Sequence, residues 1–290
     1  MAGVPFLTYF RPRYGECVQV ADGIRRVVAD NPSKFTAWGT GTYLIGDGPV
    51  AIVDPGPADD AHIEAVLRAV SDQVVTHVLI THTHADHSPA AAAVVERTGA
   101  TTYGFGPHPA DADSTTEEHG DRAFRPDVEV RHGDVVSGDG FEFECLHTPG
   151  HISNHICYAE RTRGALFTGD HVMGWSTTVV SPPDGRMGDY LASLRLLLDR
   201  PEGVLYPTHG PPIEEPRRHV EALIDHRLER EAQILEQLRL GARRIREIVE
   251  VLYADVREEL HAPAGRTVEA HLIALAETGR ARVDGERWSA

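Results

Sequence analysis

The tightest constraint on this chain is an apolar run, Val74-Val75-Thr76-His77-Val78-Leu79-Ile80, that breaks into Thr81-His82-Thr83-His84-Ala85-Asp86-His87. The run reads as a buried strand. In extended backbone, residues two apart point the same way. His82 and His84 can therefore offer two nitrogens to one metal ion. Asp86 and His87 come after the chain turns, so they can face a second ion from another side. Imidazole and carboxylate suit zinc, and also iron or manganese. The plainer alternative is a polar loop at a strand end, which has no need of three imidazoles and a carboxylate together.

Three further segments repeat the layout. Phe141 to Leu146 leads into Thr148-Pro149-Gly150-His151, Gly164 to Phe167 into Thr168-Gly169-Asp170-His171, and Gly203 to Leu205 into Tyr206-Pro207-Thr208-His209-Gly210. Each is a short apolar strand ending in a turn with Gly or Pro and carrying His or Asp. Loops at strand ends are where a rigid sheet holds reactive groups. Upstream, Thr42 to Gly46 and Val50 to Val53 read as a hairpin followed by Asp54-Pro55-Gly56. Asp54 reads either as an acid that orients a metal-bound histidine or as a turn former before proline.

The order HxHxDH, then His, Asp and His, resembles the metallo-β-lactamase superfamily of hydrolases over roughly residues 18–215. The resemblance implies an α/β fold, a four-layer αββα sandwich with a dinuclear site at one edge of its two sheets. Carried over residue by residue, His82, His84 and His151 would hold the first ion, Asp86, His87 and His209 the second, and Asp170 would bridge them. The expected cofactor is two divalent ions, zinc first, with iron or manganese as alternatives. Two such ions share a water and lower its pKa to about 7, and the hydroxide attacks an acyl carbon or a phosphorus. Asp86 would orient it, which makes Asp86 and Asp170 the expected catalytic carboxylates. β-Lactamases proper usually carry Cys or Ser at the bridging position, so Asp170 points to the broader hydrolase branch. Gly41 stands where relatives often have Asn, so contacts of that side chain do not carry over.

The chain has 290 residues, room for two domains. Its 41% hydrophobic and 25% charged residues are ordinary for a soluble protein. No apolar run is long enough to span a membrane, and residues 1–20 lack a signal-peptide core. The expectation is a cytoplasmic, bacterial protein without a membrane partner; the sequence assigns no oligomeric state. Cys17, Cys145 and Cys157 have no CxxC spacing, which argues against a disulfide framework or a cysteine metal site. Cys145 and Cys157 read as small buried hydrophobes. The net charge of −16 disfavours polyanions over most of the surface. The only lysine, Lys34, follows no glycine, so a P-loop and ATP chemistry are excluded.

The composition changes after Pro211-Pro212, dividing a catalytic domain, 1–215, from a tail, 216–290. Arg217 to Leu240 shows helical periodicity and Arg243 to Leu252 gives a second helix. Thr267 can cap a third that runs to about Glu277. Arg280 to Trp288 reads as a hairpin turning at Asp284-Gly285. Three helices and a wing make a winged-helix-like domain. Thr148-Pro149-Gly150-His151, Thr168-Gly169-Asp170, Thr177-Thr178-Val179, Asp189-Tyr190, Ser193-Leu194, His209-Gly210-Pro211 and His226-Arg227 together resemble the lactamase-β-like-2 subgroup. That subgroup includes a single-strand-directed endoribonuclease and looks similar to fungal thioesterases that act on carrier proteins. The chain departs from the endoribonuclease at His171, where that protein has Cys, and at the Ser181 to Gly188 insertion. The tail holds slightly more acids than arginines, which favours a wall of the cleft over a nucleic-acid reader.

Val172 to Tyr190 reads as a Gly/Pro loop after the bridging Asp, placed to line a substrate pocket. The candidate substrate contacts are Trp175, Thr178, Tyr190, His171 and, from the long helix, His226; Thr177 and Met187 belong to the same reading. His62, His108, His119, His132, His219, His261 and His271 read as surface residues, His77 as a core histidine, and His147 and His155 as supports of His151. Three functions follow. The first is a metal-dependent hydrolase of an ester or thioester of a small acyl substrate. The second is a single-stranded-RNA endoribonuclease. The third, a non-catalytic winged-helix regulator, has no chemical reason to keep all seven ligands.

Overall fold

A computed structural model describes residues 3–109, 119–241 and 243–290. Its first sheet has seven strands in sequential order: β1 (Val18–Ala21), β2 (Ile24–Val28), β3 (Gly41–Ile45), β4 (Val50–Val53), β5 (Val75–Leu79), β6 (Thr101–Gly104) and β7 (Val128–Glu129). The second sheet holds β8 (Val135–Gly138), β9 (Phe141–His147), β10 (Ile156–Glu160), β11 (Ala165–Gly169) and β12 (Val204–Pro207). α1 (Asp60–Ala69) and α2 (Ala91–Thr98) follow β4 and β5. α3 (Met187–Leu198) follows β11, and α4 (Pro216–Arg239) follows β12.

The two-residue period of a strand sorts the side chains into layers. Tyr43, Ile45, Ala51, Val53, Phe143, Cys145, Ile156 and Tyr158 pack between the sheets. Their neighbours Leu44, Val50 and Ile52 turn outward onto α1 and α2, where they meet Val66 and Val94. Leu146, Cys157 and Ala159 face Leu191, Leu194, Val220 and Leu223 of α3 and α4. The result is the expected αββα order. Both predicted buried cysteines lie in these layers, and burial pushes their thiols up to about 12.

α4 serves two cores. Val220, Leu223 and Ile224 close the outer layer of the second sheet. Ile234, Leu235 and Leu238, further along, pack with α5 (Ile245–Leu252), α6 (His261–Glu277) and Trp288. The division before Pro216 thus falls at the start of a helix whose first half belongs to the core of the sandwich. β13 (Arg282–Asp284) and β14 (Arg287–Ser289) form the expected wing. Trp288 exchanges backbone hydrogen bonds with Arg243 at 2.8 and 2.9 Å, which ties the wing to the entry of α5. α6 starts six residues before the predicted cap at Thr267. Pro263 falls in its first turn, where a missing N–H costs nothing, and Gly265 sits against Ile245 and Val249.

The 172–190 segment departs from the loop reading. Its end is the first turn of α3, and Met187 and Tyr190 are buried in the core. Several histidines read as surface residues are also buried: His62, His108, His219 and His271. His62 Nε2 lies 2.9 Å from Thr42 Oγ1, His108 Nδ1 2.8 Å from Thr83 Oγ1, and His219 Nε2 3.1 Å from the Met173 carbonyl. His62, His108 and His219 left solvent because each ring found a partner across the fold, whereas His271 is buried with neither ring nitrogen hydrogen-bonded. His119 and His132 are exposed and His261 is half-buried.

Candidate metal centre

β4 and β5 are parallel neighbours, as are β11 and β12, so their C-terminal ends lie at matching edges of the two sheets. The edges are stitched by backbone hydrogen bonds. Ile156 N donates to the Thr81 carbonyl at 2.7 Å, Gly41 N to Thr208 at 2.9 Å, and Thr208 N to Gly169 at 3.2 Å. Every candidate ligand projects from one of the loops joined here. Gly169 shows how tight the join is. Its φ is +50°, and a Cβ would lie 2.6 Å from His155 Nε2 and 2.7 Å from Thr81 Oγ1.

His84 Nδ1 stands 2.9 Å from His82 Nε2 and 3.0 Å from His151 Nε2. Beside this trio, His209 Nε2 lies 3.2 Å from Asp86 Oδ2 and 3.4 Å from Asp170 Oδ1. His87 Nε2 lies 3.5 and 3.6 Å from the same two oxygens. Asp170 also groups with His82 and His87, so it stands between the two sets. All seven predicted ligands come together in this arrangement.

The outer nitrogens decide what these rings can do. His87 Nδ1 donates to Asp54 Oδ2 at 2.8 Å, His151 Nδ1 to the Val179 carbonyl at 2.6 Å, and His209 Nδ1 to the Gly39 carbonyl at 3.2 Å. Thr81 Oγ1 gives its own proton to Asp54 Oδ2 and so accepts from His82 Nδ1 at 3.1 Å. A ring that spends its proton outward turns a lone pair inward. Four lone pairs and two carboxylates thus converge in a buried space. His87 Nε2 and Asp170 Oδ1 have no hydrogen-bond partner there. Such a donor set suits divalent cations and suits little else.

The protein's own charges agree. Burial pushes the imidazoles of His82 and His84 well below the usual histidine range, with neighbouring rings adding to it. For His209, burial opposes charge, but Asp170 and Asp86 outweigh it and raise the group to about 10. His87 is raised likewise by Asp86, Asp170 and Asp54 against its burial. The second set is a strongly anionic spot that a cation satisfies.

Asp54 sits beneath the site, fully buried at φ +49°, and also accepts from Thr81 N at 2.8 Å and Thr208 Oγ1 at 3.0 Å. It orients ligands rather than only forming a turn. His155 stacks on His82 with ring centroids 5.1 Å apart and accepts from Asp170 N at 3.3 Å. His147 turns away, its Nε2 2.9 Å from the Ser153 carbonyl. Sequence reading missed Thr40, whose hydroxyl donates to Asp86 Oδ2 at 3.0 Å. It also missed Tyr43, which donates to the Pro207 carbonyl at 2.7 Å and steadies the His209 loop. Nothing in a threonine before Gly41 signals such a role.

The candidate substrate contacts separate. Trp175, Thr178 and His226 line one cavity of about 320 Å³ between the loop and the tail. Thr178 Oγ1 itself is turned inward, donating to the Asp170 carbonyl at 2.7 Å. His171 and Tyr190 lie fully buried with ring centroids 5.1 Å apart. Burial brings His171 down to about 3. These two are supports of the Asp170 loop, because Tyr190 packs against His171 from α3.

Comparison with known proteins agrees with the fold. Residues 36–209 match the metallo-beta-lactamase superfamily, and residues 245–288 match the beta-lactamase associated winged helix domain. The chain belongs to the metallo-β-lactamase superfamily. It is 31% identical to a beta-lactamase-like protein 2 homolog of Drosophila melanogaster, over 91% of each chain. It is 29% identical to an atrochrysone carboxyl ACP thioesterase of Aspergillus chevalieri, over 87% of this chain and 80% of that one. A beta-lactamase domain protein from Burkholderia ambifaria superimposes with a TM-score of 0.80 at 22% identity, over 97% of this chain and 95% of that one. Among the described residues, no helix is long and apolar enough to cross a membrane.

Proposed function

We propose that the protein is a dinuclear metal-dependent hydrolase acting on a thioester or ester of a small acyl substrate. The observation that carries the metal reading is the outward hydrogen bonding of His82, His87, His151 and His209, which leaves their lone pairs facing two adjacent carboxylates. His82, His84 and His151 would hold one ion, Asp86, His87 and His209 the other, with Asp170 between. Ions of zinc, iron or manganese type supply Lewis acidity and a water that ionises near neutral pH. The chain's own groups supply the rest. Asp86 is the most open of the ligands, its side chain 25% exposed, and its Oδ2 is fixed by Thr40. When the ions are bound, it could orient the attacking water. The thioester reading is supported by the thioesterase named among the relatives and by the acidic surface, which repels polyanions.

Single-stranded RNA is the second reading, favoured by the winged-helix match of the tail. The test uses metal-loaded protein with an acyl-pantetheine thioester in one arm and a labelled single-stranded RNA in the other, each with Asp170→Ala as control. Thiol release that vanishes in the variant supports the proposal. RNA cleavage that vanishes in the variant, without thiol release, replaces it with the nuclease reading.

A further inference from the structure

The cavity between the 175–179 segment and the tail is unusual in its charge. No aspartate or glutamate lines it, although the whole chain carries −16. Three cations do: Lys34, Arg227 and Arg230. Many other arginines of the tail are paired, Arg217 with Glu221, Arg218 with Glu215, Arg246 with Glu250 and Arg280 with Glu231. Arg227 and Arg230 make no ion pair among the described residues. Arg227 is 2% exposed, and its Nε has no hydrogen-bond partner. It donates to the Thr178 carbonyl and lies over the Tyr190 ring at 5.2 Å. Arg230 donates to the Leu252 carbonyl at 3.0 Å and lies over the Tyr253 ring at 4.2 Å. His226, next to Arg227 in sequence, has an unpartnered Nδ1. A buried guanidinium without a counter-ion carries a desolvation cost that an anion would offset.

We propose that this cavity binds a phosphate group carried by the acyl substrate, with Arg227 and Arg230 as its partners; the inference rests on the hydrolase reading above. A phosphate monoester bears about −1.5 to −2 at pH 7, which matches several cations better than a single carboxylate does. The planar guanidinium forks suit its oxygens. Trp175 and Tyr253 offer apolar surface to an uncharged chain. The cavity is one backbone layer from the metal ligands. Val179, in its wall, accepts from His151, and Thr178 from the same segment donates to the Asp170 carbonyl. Trp175 also reaches Gly210, the neighbour of His209. At about 320 Å³ the space fits a phosphate and a short linker rather than a folded polymer.

The test is calorimetric titration of the metal-loaded full chain with 4′-phosphopantetheine, pantetheine and a six-nucleotide RNA. No thioester is present, so the result does not depend on hydrolysis. The wild type should bind 4′-phosphopantetheine about tenfold or more tighter than pantetheine. Arg230→Gln should erase that preference while keeping the wild-type melting temperature and metal content. Equal or no binding of the two pantetheines by the wild type overturns the proposal, whatever the variant does. So does a preference that survives in a folded Arg230→Gln. RNA binding that needs Arg230, with no binding of 4′-phosphopantetheine, overturns it in favour of a nucleic-acid site.

Discussion

Asp54 and His87 share a buried hydrogen bond, Oδ2 accepting from Nδ1 at 2.8 Å, and neither side chain reaches solvent. The same oxygen accepts from Thr81 and Thr208, so one carboxylate aligns loops from both sheets. Asp54→Asn keeps the size but offers His87 an amide in place of a carboxylate. Losing such an outer partner costs about 10–100-fold in metal affinity. Competition against a chromogenic chelator should show that drop with the fold retained, and an unchanged affinity would remove Asp54 from the site's design.

Asp170 stands 3.4 Å from His209 and 3.6 Å from His87, and groups with His82 on the other side. Asp170→Ala takes away the one carboxylate that faces both sets. Turnover should fall at least about 100-fold, the upper end of what loss of an outer partner costs, and metal content measured by emission spectrometry should fall with it. Wild-type turnover in this variant would refute the shared-ligand arrangement.

How much of this was legible in the sequence follows from distance along the chain. His82, His84, Asp86 and His87 announce themselves because one strand end carries them, and His151, Asp170 and His209 because each ends an apolar stretch. The alternation of Phe141, Phe143 and Cys145 likewise shows in the inter-sheet core. Partners joined only by folding left no local mark. Thr40 meets Asp86 across 46 residues, and Arg227 meets Thr178 across 49. Tyr190 was misplaced because glycines and prolines before it mask the start of α3, and His271 because its burial is set by helices packed over it that are distant in sequence.

Gly169 is the residue whose backbone most directly positions Asp170. Gly169→Ala would place a methyl within 2.6–2.9 Å of His155 and Thr81 atoms, at a φ of +50°. Holding a non-glycine residue there costs about 1–3 kcal/mol before any clash. A melting temperature below wild type, together with reduced metal content, is the expected outcome. A variant with wild-type stability and metal content would mean that the strand-end turn is far more yielding than its contacts indicate.

His271 is fully buried in α6, neither ring nitrogen has a hydrogen-bond partner, and burial with Arg227 and Arg230 nearby lowers it to about 3. The unfolded chain, with an ordinary value of 6.5, takes up this proton first. Its contribution to stability is therefore complete above pH 6.5 and is lost progressively as the pH falls toward 3. The slope from one such group approaches roughly 1.4 kcal/mol per pH unit. His171 and His226, also lowered by burial, act in the same direction, so the residue must be isolated by substitution. His271→Leu removes the proton site and leaves an apolar side chain among Leu272, Leu275 and Val268 of the same packed helix. Denaturant unfolding at pH 7.5 and pH 5 should show the variant gaining on the wild type by about 1–2 kcal/mol at the lower pH. A constant difference between the two proteins at both pH values would mean that His271 takes up its proton at the same pH folded as unfolded, and the buried neutral ring would have to be given up.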